Sequence, residues 1–381
     1  MKIIILGSGM MGTAIAYDLS KYSNFDEILI ADKDVKILNI AKKFLGDKKI
    51  NFKLIDVENS TELRKYFKKF NVAISAIPYK YNFNLTKIAV ETKTHFLDLG
   101  GNNDIVLKQR TLFEKANNNG VTIIPDCGLA PGLTSVITKD IVEQIETVEY
   151  VKIRVGGLPI NPQPPLNYQI VFSPYGLINE YIEDSIILNK GKIVKKKSMS
   201  ELEKVEFPKP FGEMEAFLTS GGASTLPFTY KNKIMYLDYK TIRFPGHCDM
   251  FKHFLDLGLT NEEKISVGNK KIIPREILVS ILLKILPKNE KDVVLLKVFS
   301  KGENDGNEIF LNYNMIDHYD EKNNITAMMR TTSYPTSIIA QLIGNGKISK
   351  HGVFGCEEVV PCLPFFKELK KRGIKIQKEI I

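Results

Sequence analysis

The chain is poor in cysteine, in long apolar runs and in arginine relative to lysine, and each shortage excludes a class of protein. Four cysteines occur in 381 residues, Cys127, Cys248, Cys356 and Cys362, with no CxxC pair and no metal-like spacing. A disulfide-stapled scaffold and a zinc site are therefore excluded, and the thiols are expected to be reduced. Cys356 and Cys362 are the pair that a hyperthermophile interior would join. No stretch approaches the roughly 18 consecutive apolar residues of a membrane span. The opening run, Met1 to Leu6, is too short for a signal peptide and passes directly into a turn, so a cytoplasmic chain with no membrane partner is expected. There is no internal repeat.

Charge is abundant but lopsided. Lys and Arg total 53 against 44 Asp and Glu, a net charge of +9. The excess is mostly lysine spread along the chain, and its densest run, Lys195-Lys196-Lys197, carries no interleaved arginine or aromatic residue. That is the pattern of a solvated face, not of a nucleic-acid groove. A basic surface does favour an anionic cofactor and substrate.

The length allows two domains. Lys2–Leu6, Glu27–Ala31, 52–55, 72–77, His95–Leu97 and 121–124 read as strands, separated by amphipathic stretches at 14–20, 61–70, 83–91 and 105–117. This alternation predicts an α/β fold: an N-terminal Rossmann-type, doubly wound parallel sheet over 1–128. From about residue 148 the texture changes. After a strand at 148–155, Gly156-Gly157-Leu158-Pro159 and Pro162-Gln163-Pro164-Pro165 break regularity, and β-like segments follow at 187–188, 234–237 and 293–298. A mixed α+β substrate and dimerisation domain over 129–330 is expected. The segment 331–381, with a helix at 336–343 ended by Gly344-Asn345-Gly346, is expected to pack back on the first domain.

Gly7-Ser8-Gly9-Met10-Met11-Gly12 is a GxGxxG pattern that follows a strand and opens a helix. Gly7 permits the tight turn, Gly9 lets backbone approach a pyrophosphate, and Gly12 lets helix pack on strand. The free N–H groups of Met10, Met11 and Gly12 then meet negative charge. Asp32 stands 20 residues beyond Gly12 at the end of the second strand, where an acid accepts from ribose hydroxyls and repels a 2′-phosphate. NAD is therefore expected over NADP, although Lys33 and Lys36 soften the discrimination. Asp56, Ala76-Ile77-Pro78 and Asp98-Leu99 end the next strands, where chain commonly borders the cofactor.

Pro125-Asp126-Cys127-Gly128 follows the sixth strand and brings Asp126 to the same edge, as a base or as a turn-capping residue. Cys127 reads as a small buried residue. Further along, Lys240-Thr241-Ile242-Arg243-Phe244-Pro245-Gly246-His247 gathers an arginine, a hydroxyl and an imidazole. Arg243 suits fork-like carboxylate recognition. His247 is either a proton carrier or a satisfied structural residue.

Read in order, these blocks resemble the saccharopine dehydrogenase superfamily, and most closely its lysine 6-dehydrogenase branch. The resemblance is carried by Asp98-Leu99-Gly100-Gly101, by 124–132, by Gly156-Gly157-Leu158-Pro159 with Pro164-Pro165-Leu166-Asn167-Tyr168, by Glu215-Ala216-Phe217 with Thr219-Ser220-Gly221-Gly222, and by 240–243. It implies a homodimer that oxidises the ε-amine of L-lysine with NAD, giving 2-aminoadipate 6-semialdehyde and ammonia. On that reading Arg243 and Thr241 hold the α-carboxylate, Tyr168 and Glu215 line the substrate pocket, and Asp126 or His247 takes the amine proton. Saccharopine-type or carboxynorspermidine-type condensation keeps the same fold on larger secondary amines. A non-catalytic NAD(H) sensor is the alternative of another class.

Overall fold

The computed structural model describes residues 1–46, 49–171, 173–288 and 290–381. The chain forms two compact units. The first takes Met1–Gln144, Ser224–Thr229 and Met329–Lys375; the second takes Ile145–Ala223, Tyr230–Met328 and Ile376–Ile381.

In the first unit the strands and helices alternate: β1 (Lys2–Leu6), α1 (Met10–Tyr22), β2 (Glu27–Asp32), α2 (Val35–Leu45), β3 (Ile50–Leu54), α3 (Ser60–Phe67), β4 (Val72–Ser75), α4 (Asn82–Thr92), β5 (His95–Asp98), α5 (Asn103–Arg110), α6 (Phe113–Asn118), β6 (Thr122–Ile124) and α7 (Thr134–Val142). Ile3, Ile4, Ile5 and Leu6 are fully buried, as expected of a central parallel strand covered on both faces. Side-chain caps start several helices: Asp34 accepts from the N–H of Lys36 at 2.7 Å, and Asn59 from that of Glu62 at 3.1 Å. The fourth strand stops at Ser75, two residues short of the expected end, and Ala76-Ile77-Pro78 lies in the following loop.

The second unit is built on β7 (Thr147–Pro159), α8 (Pro174–Ile182), β8 (Ser185–Asn189), β9 (Lys192–Lys196), β10 (Glu203–Phe207) and β11 (Gly212–Leu218), and continues after α9 (Leu226–Thr229) of the first unit. There follow β12 (Ile234–Arg243), α10 (His247–Asp256), the hairpin β13 (Ile265–Val267) and β14 (Lys270–Ile272), α11 (Pro274–Ile285), β15 (Asp292–Asn304) and β16 (Asn307–His318). The chain returns to the first unit through most of α12 (Ala327–Gly344), β17 (Gly352–Val353), α13 (Cys356–Val359) and α14 (Cys362–Lys371), and ends on β18 (Gln377–Ile380).

The first sheet has seven parallel strands in the order β17-β6-β5-β4-β1-β2-β3. Stepping outward from β1 in both directions, it leaves a switch point between β1 and β4, beside the loop after β1. The second sheet has nine strands, seven in the order β10-β11-β12-β7-β15-β16-β18, with β8 paired to β12 and β9 paired to β8. Gly156–Pro159 corrects the sequence expectation, because these residues continue β7 instead of breaking it. A Cβ on Gly156 would lie 2.5 Å from the carbonyl oxygen of Ile242, so glycine here serves close strand contact. Among the described residues, no helix is long and apolar enough to cross a membrane.

Candidate active site

The loop after β1 is shaped by its glycines, but not all for one reason. Gly7 has φ +98°, and a Cβ there would lie 2.5 Å from the carbonyl oxygen of Ala76. A Cβ on Gly12 would fall 1.9 Å from the carbonyl oxygen of Gly7. At Gly9 a Cβ would meet nothing within 4 Å. The fold thus requires glycine at 7 and 12, while at 9 the empty space lies where a nucleotide phosphate would approach the start of α1. The two half-buried residues Met10 and Met11 occupy the first turn.

Asp32 clasps this loop. Its Oδ2 accepts from the Ser8 N–H at 2.7 Å and the Ser8 hydroxyl at 3.0 Å, and its Oδ1 accepts from the Asp34 N–H at 2.9 Å. Each carboxylate oxygen can accept more than one hydrogen bond, so these contacts orient the group without exhausting it. Asp56 is exposed and caps its own turn, accepting from Glu58 N–H at 3.0 Å. Asp98 is fully buried, and protein donors occupy it: Gly100 N–H at 2.8 Å, Asp126 N–H at 3.2 Å and Gln109 Nε2 at 2.7 Å. It holds the β5 and β6 turns together, a supporting role in place of the expected cofactor contact; Leu99 beside it is half-buried.

These loops imply a direct contrast. Gly12→Ala should destabilise the protein by about 1–3 kcal/mol through overpacking, whereas Gly9→Ala should leave the melting temperature unchanged and weaken dinucleotide binding at least about tenfold, a loss of roughly 1.4 kcal/mol. Thermal melts paired with cofactor titration read both effects, and equal destabilisation by the two substitutions would contradict the assignment.

Asp126 is the outstanding carboxyl of the first unit. It has φ +59°, a conformation uncommon for a residue with a side chain, and is 5% exposed. Its Oδ2 accepts from the hydroxyl of Ser224, itself at φ +42°, and its Oδ1 has no partner among the described residues. A Cβ on Gly100 would fall 1.6 Å from that Oδ1, so glycine at 100 keeps the space open. Burial, followed by the nearby charge of Asp98, pushes the Asp126 carboxyl up to about 8. At neutral pH it therefore carries a proton, which revises the expected base into an acid until the pH exceeds about 8. Glu357, which accepts from Thr229 Oγ1 at 2.6 Å, adds to the same repulsion. Cys127 is fully buried with its thiol pushed far up, and lies 3.9 Å from Cys356 Sγ. All four cysteines are free, and Cys362 instead neighbours Glu143.

The second unit gathers a different chemistry. Arg243 ends β12 and is 3% exposed. Its Nε donates to the Tyr181 hydroxyl at 2.9 Å and its Nη1 to the carbonyl of Ile242 at 2.9 Å. The Tyr168 ring lies 4.9 Å from its Cζ and that of Tyr181 5.8 Å away. No described carboxylate lies within 4.0 Å of it. The contrast with other buried arginines is clear: Arg372 pairs with Asp18 at 2.7 Å, and Arg154 with Asp238 at 2.6 Å. A buried guanidinium without an anion is costly unless a ligand supplies one.

Thr241 sits two residues earlier on the same face of β12, its hydroxyl 2.9 Å from that of Thr219 and 3.3 Å from that of Tyr239. Of the two readings of His247, proton carrier or satisfied structural residue, the contacts favour the second. Its Nδ1 lies 3.0 Å from the carbonyl of Leu166 and its Nε2 3.1 Å from the Tyr181 hydroxyl. Burial, then the Arg243 charge, drives it down to about 3, so it stays neutral and braces Tyr181. Glu215 also departs from expectation, because its oxygens accept from Gly246 N–H at 2.9 Å and Cys248 N–H at 2.6 Å, capping α10. The sequence reading missed Tyr181, Tyr239 and Glu180, which carry no local motif and join the cluster only through the fold.

One further group brings ligand atoms within 4.8 Å of one another: Asp140, Glu143 and Cys362. Gln144 donates to Asp140 at 2.7 Å and Lys139 lies 3.8 Å from Glu143, contacts that account for the arrangement without an ion.

Comparison with known proteins agrees with this architecture. Residues 3–124 match the model of the saccharopine dehydrogenase NADP binding domain, and residues 128–374 that of the saccharopine dehydrogenase C-terminal domain. The mitochondrial alpha-aminoadipic semialdehyde synthase of Mus musculus is 23% identical over 280 residues, covering 69% of this chain. The chain spans only about three-tenths of that relative's length, 29%. Carboxyaminopropylagmatine dehydrogenase of Synechocystis is 21% identical over 401 residues, covering 98% of this chain and 96% of its own. In the apo histidine-tagged saccharopine dehydrogenase (L-Glu forming) from Saccharomyces cerevisiae the fold recurs with a TM-score of 0.81 at 19% identity, over 100% of this chain and 99% of that one. With both domain models matched in order along one α/β chain, the protein belongs to the saccharopine dehydrogenase family.

Proposed function

We propose that this chain is a nicotinamide-dependent oxidoreductase that acts on the carbon–nitrogen bond of a carboxylate-bearing amine, and that it oxidises the ε-amine of L-lysine with NAD. Lysine, NAD and water then give 2-aminoadipate 6-semialdehyde, ammonia, NADH and a proton, and the semialdehyde cyclises onto its own α-amine. The observation that carries this reading is Arg243, a buried guanidinium held by Tyr181 and the Ile242 carbonyl with no anion of its own. A substrate carboxylate supplies the missing partner through a charge-assisted fork. When bound, the nicotinamide takes up the hydride from the substrate carbon.

The chain's own residues do the rest. The loop of Gly7 to Gly12 receives the pyrophosphate, and Asp32 receives the ribose hydroxyls. Only a neutral amine can release hydride, so a proton must leave first; Asp126 takes it once ionised, above about 8. Thr241 fixes the strand beneath the carboxylate site through Thr219.

A second reading, reductive condensation of an amine with a semialdehyde or keto acid, is favoured by the proton that Asp126 retains at neutral pH. The full-length likeness to carboxyaminopropylagmatine dehydrogenase supports it as well. The convergent polar groups around Arg243 speak against a purely NAD(H)-sensing protein. A panel of amines with NAD and NADP, followed by absorbance of the reduced cofactor and ammonia release, separates the two enzymes. Lysine-dependent NADH with free ammonia supports the first; activity only with an amine plus an aldehyde or keto acid, in the reductive direction, replaces it with the second. Asp32→Ala should lower the NAD-over-NADP preference, and an undiminished ratio would remove the reason for choosing NAD.

A further inference from the structure

Two opposite charges share the second unit's cluster without touching. Arg243 has no carboxylate within 4.0 Å among the described residues. Glu180 precedes Tyr181 on α8, and the Tyr181 hydroxyl accepts from Arg243 Nε at 2.9 Å. The carbonyl of Glu180 accepts from Ser220 N–H at 2.9 Å, which pins this turn of α8 beside Thr219 and so beside its partner Thr241. The Glu180 side chain is half-buried and receives no hydrogen bond from any described residue. Its charge acts on Arg243, Tyr168, Tyr181 and Tyr239, and burial pushes the carboxyl up to about 7 even though Arg243 pulls it down.

A structural ion pair would close to hydrogen-bond distance, as Arg372 and Asp18 do at 2.7 Å. Arg243 and Glu180 do not close to that distance: the rings of Tyr168 and Tyr181 flank the guanidinium at 4.9 and 5.8 Å, and the Glu180 carboxylate, within reach of its charge, receives no hydrogen bond from any described residue. A zwitterion fits both: its carboxylate neutralises the guanidinium, and its ammonium neutralises the carboxylate. Resting on the reading that Arg243 takes the substrate carboxylate, we propose that Glu180 receives the substrate's α-ammonium group. The pocket then selects a free α-amino-acid head over a plain carboxylate. Glu180 is thus a specificity-determining residue, separate from the proton chemistry of Asp126.

The test is calorimetric titration of the NADH-loaded protein, which cannot turn over an amine, with L-lysine and with 6-aminohexanoate, which lacks only the α-amino group. Wild type should bind lysine at least about tenfold more tightly. Glu180→Gln should lose roughly 10- to 100-fold on lysine while changing 6-aminohexanoate less than about twofold, and Glu180→Asp should restore part of the loss. Equal affinities in the wild type, or equal losses for both ligands in Glu180→Gln, overturn the proposal. Arg243→Ala locates the failure. If it abolishes binding of both ligands while Glu180→Gln leaves their ratio untouched, the carboxylate anchor stands and Glu180 falls. If neither ligand binds the wild type, both assignments fall together.

Discussion

Arg243→Met is expected to raise the KM for a carboxylate substrate by roughly 30- to 1000-fold while the dissociation constant of the dinucleotide stays within twofold. Truncating one partner of a desolvated, hydrogen-bonded charge pair costs about 2–4 kcal/mol, which sets that range. The same substitution removes a buried charge with no described carboxylate within 4.0 Å, Glu180 acting on it only from further off, and methionine follows most of the arginine stem. Thermal stability should therefore hold or rise, because replacing an uncompensated buried ion by an apolar side chain is often neutral or stabilising. Arg154→Met supplies the control. Arg154 is 1% exposed and engages both Glu203 and Asp238; its loss strands Asp238, while Glu203 keeps Lys240 at 2.8 Å, and should cost about 3 kcal/mol of stability without altering the KM. An Arg243 variant with normal KM and lowered melting temperature would make this arginine structural.

The second large effect belongs to Asp126. Its carboxyl moves from 3.8 in the free side chain to about 8 in the fold, so the folded protein holds the proton more tightly than the unfolded chain. The corresponding stability is complete below about pH 4, declines as pH rises and is lost above about 8; a displacement of this size carries on the order of 5 kcal/mol. Asp126→Asn removes this titration. Unfolding curves of wild type and variant should converge at pH 4 and separate at pH 9, with the variant more stable there. Turnover should fall about 10²–10⁴-fold in the variant. In the wild type, amine oxidation should rise with pH through about 8 and imine reduction should fall through the same point. A pH-independent stability difference, or an unchanged pH–rate profile in the variant, would take the proton away from Asp126.

The parts legible in the sequence are those fixed by local periodicity or by a backbone demand. Strand–helix alternation gave the parallel sheet, and the spacing of Gly7 and Gly12 gave the tight turn from β1 into α1. Gly156–Pro159 was misleading because glycine there answers to Ile242, a strand partner far along the chain that no local pattern displays. The helix expected at 336–343 begins instead at Ala327, whose N–H donates to Asp292 at 2.6 Å across 35 residues, and it continues through Pro335. His247 was visible as an imidazole, but the contacts that neutralise it come from Leu166 and Tyr181, 81 and 66 positions away. Glu180 was invisible for the same reason: Arg243, whose charge acts on it, lies 63 positions further along the chain.

The first unit's assembly from three stretches of chain sets a timetable for its birth. Ser224, which donates to Asp126, lies 98 residues further on, and β17, which pairs Gly352 with Thr122 and Val353 with Ile123, arrives later still. A ribosome that has released only the first 144 residues has made six strands of this sheet with β6 as a bare edge, and has placed an acid whose hydroxyl partner does not yet exist. Such an edge invites pairing with other chains. The nascent half-domain should therefore depend on chaperones until β17 at 352–353 has emerged, and synthesis stalled near residue 144 should yield aggregate instead of a stable folded fragment.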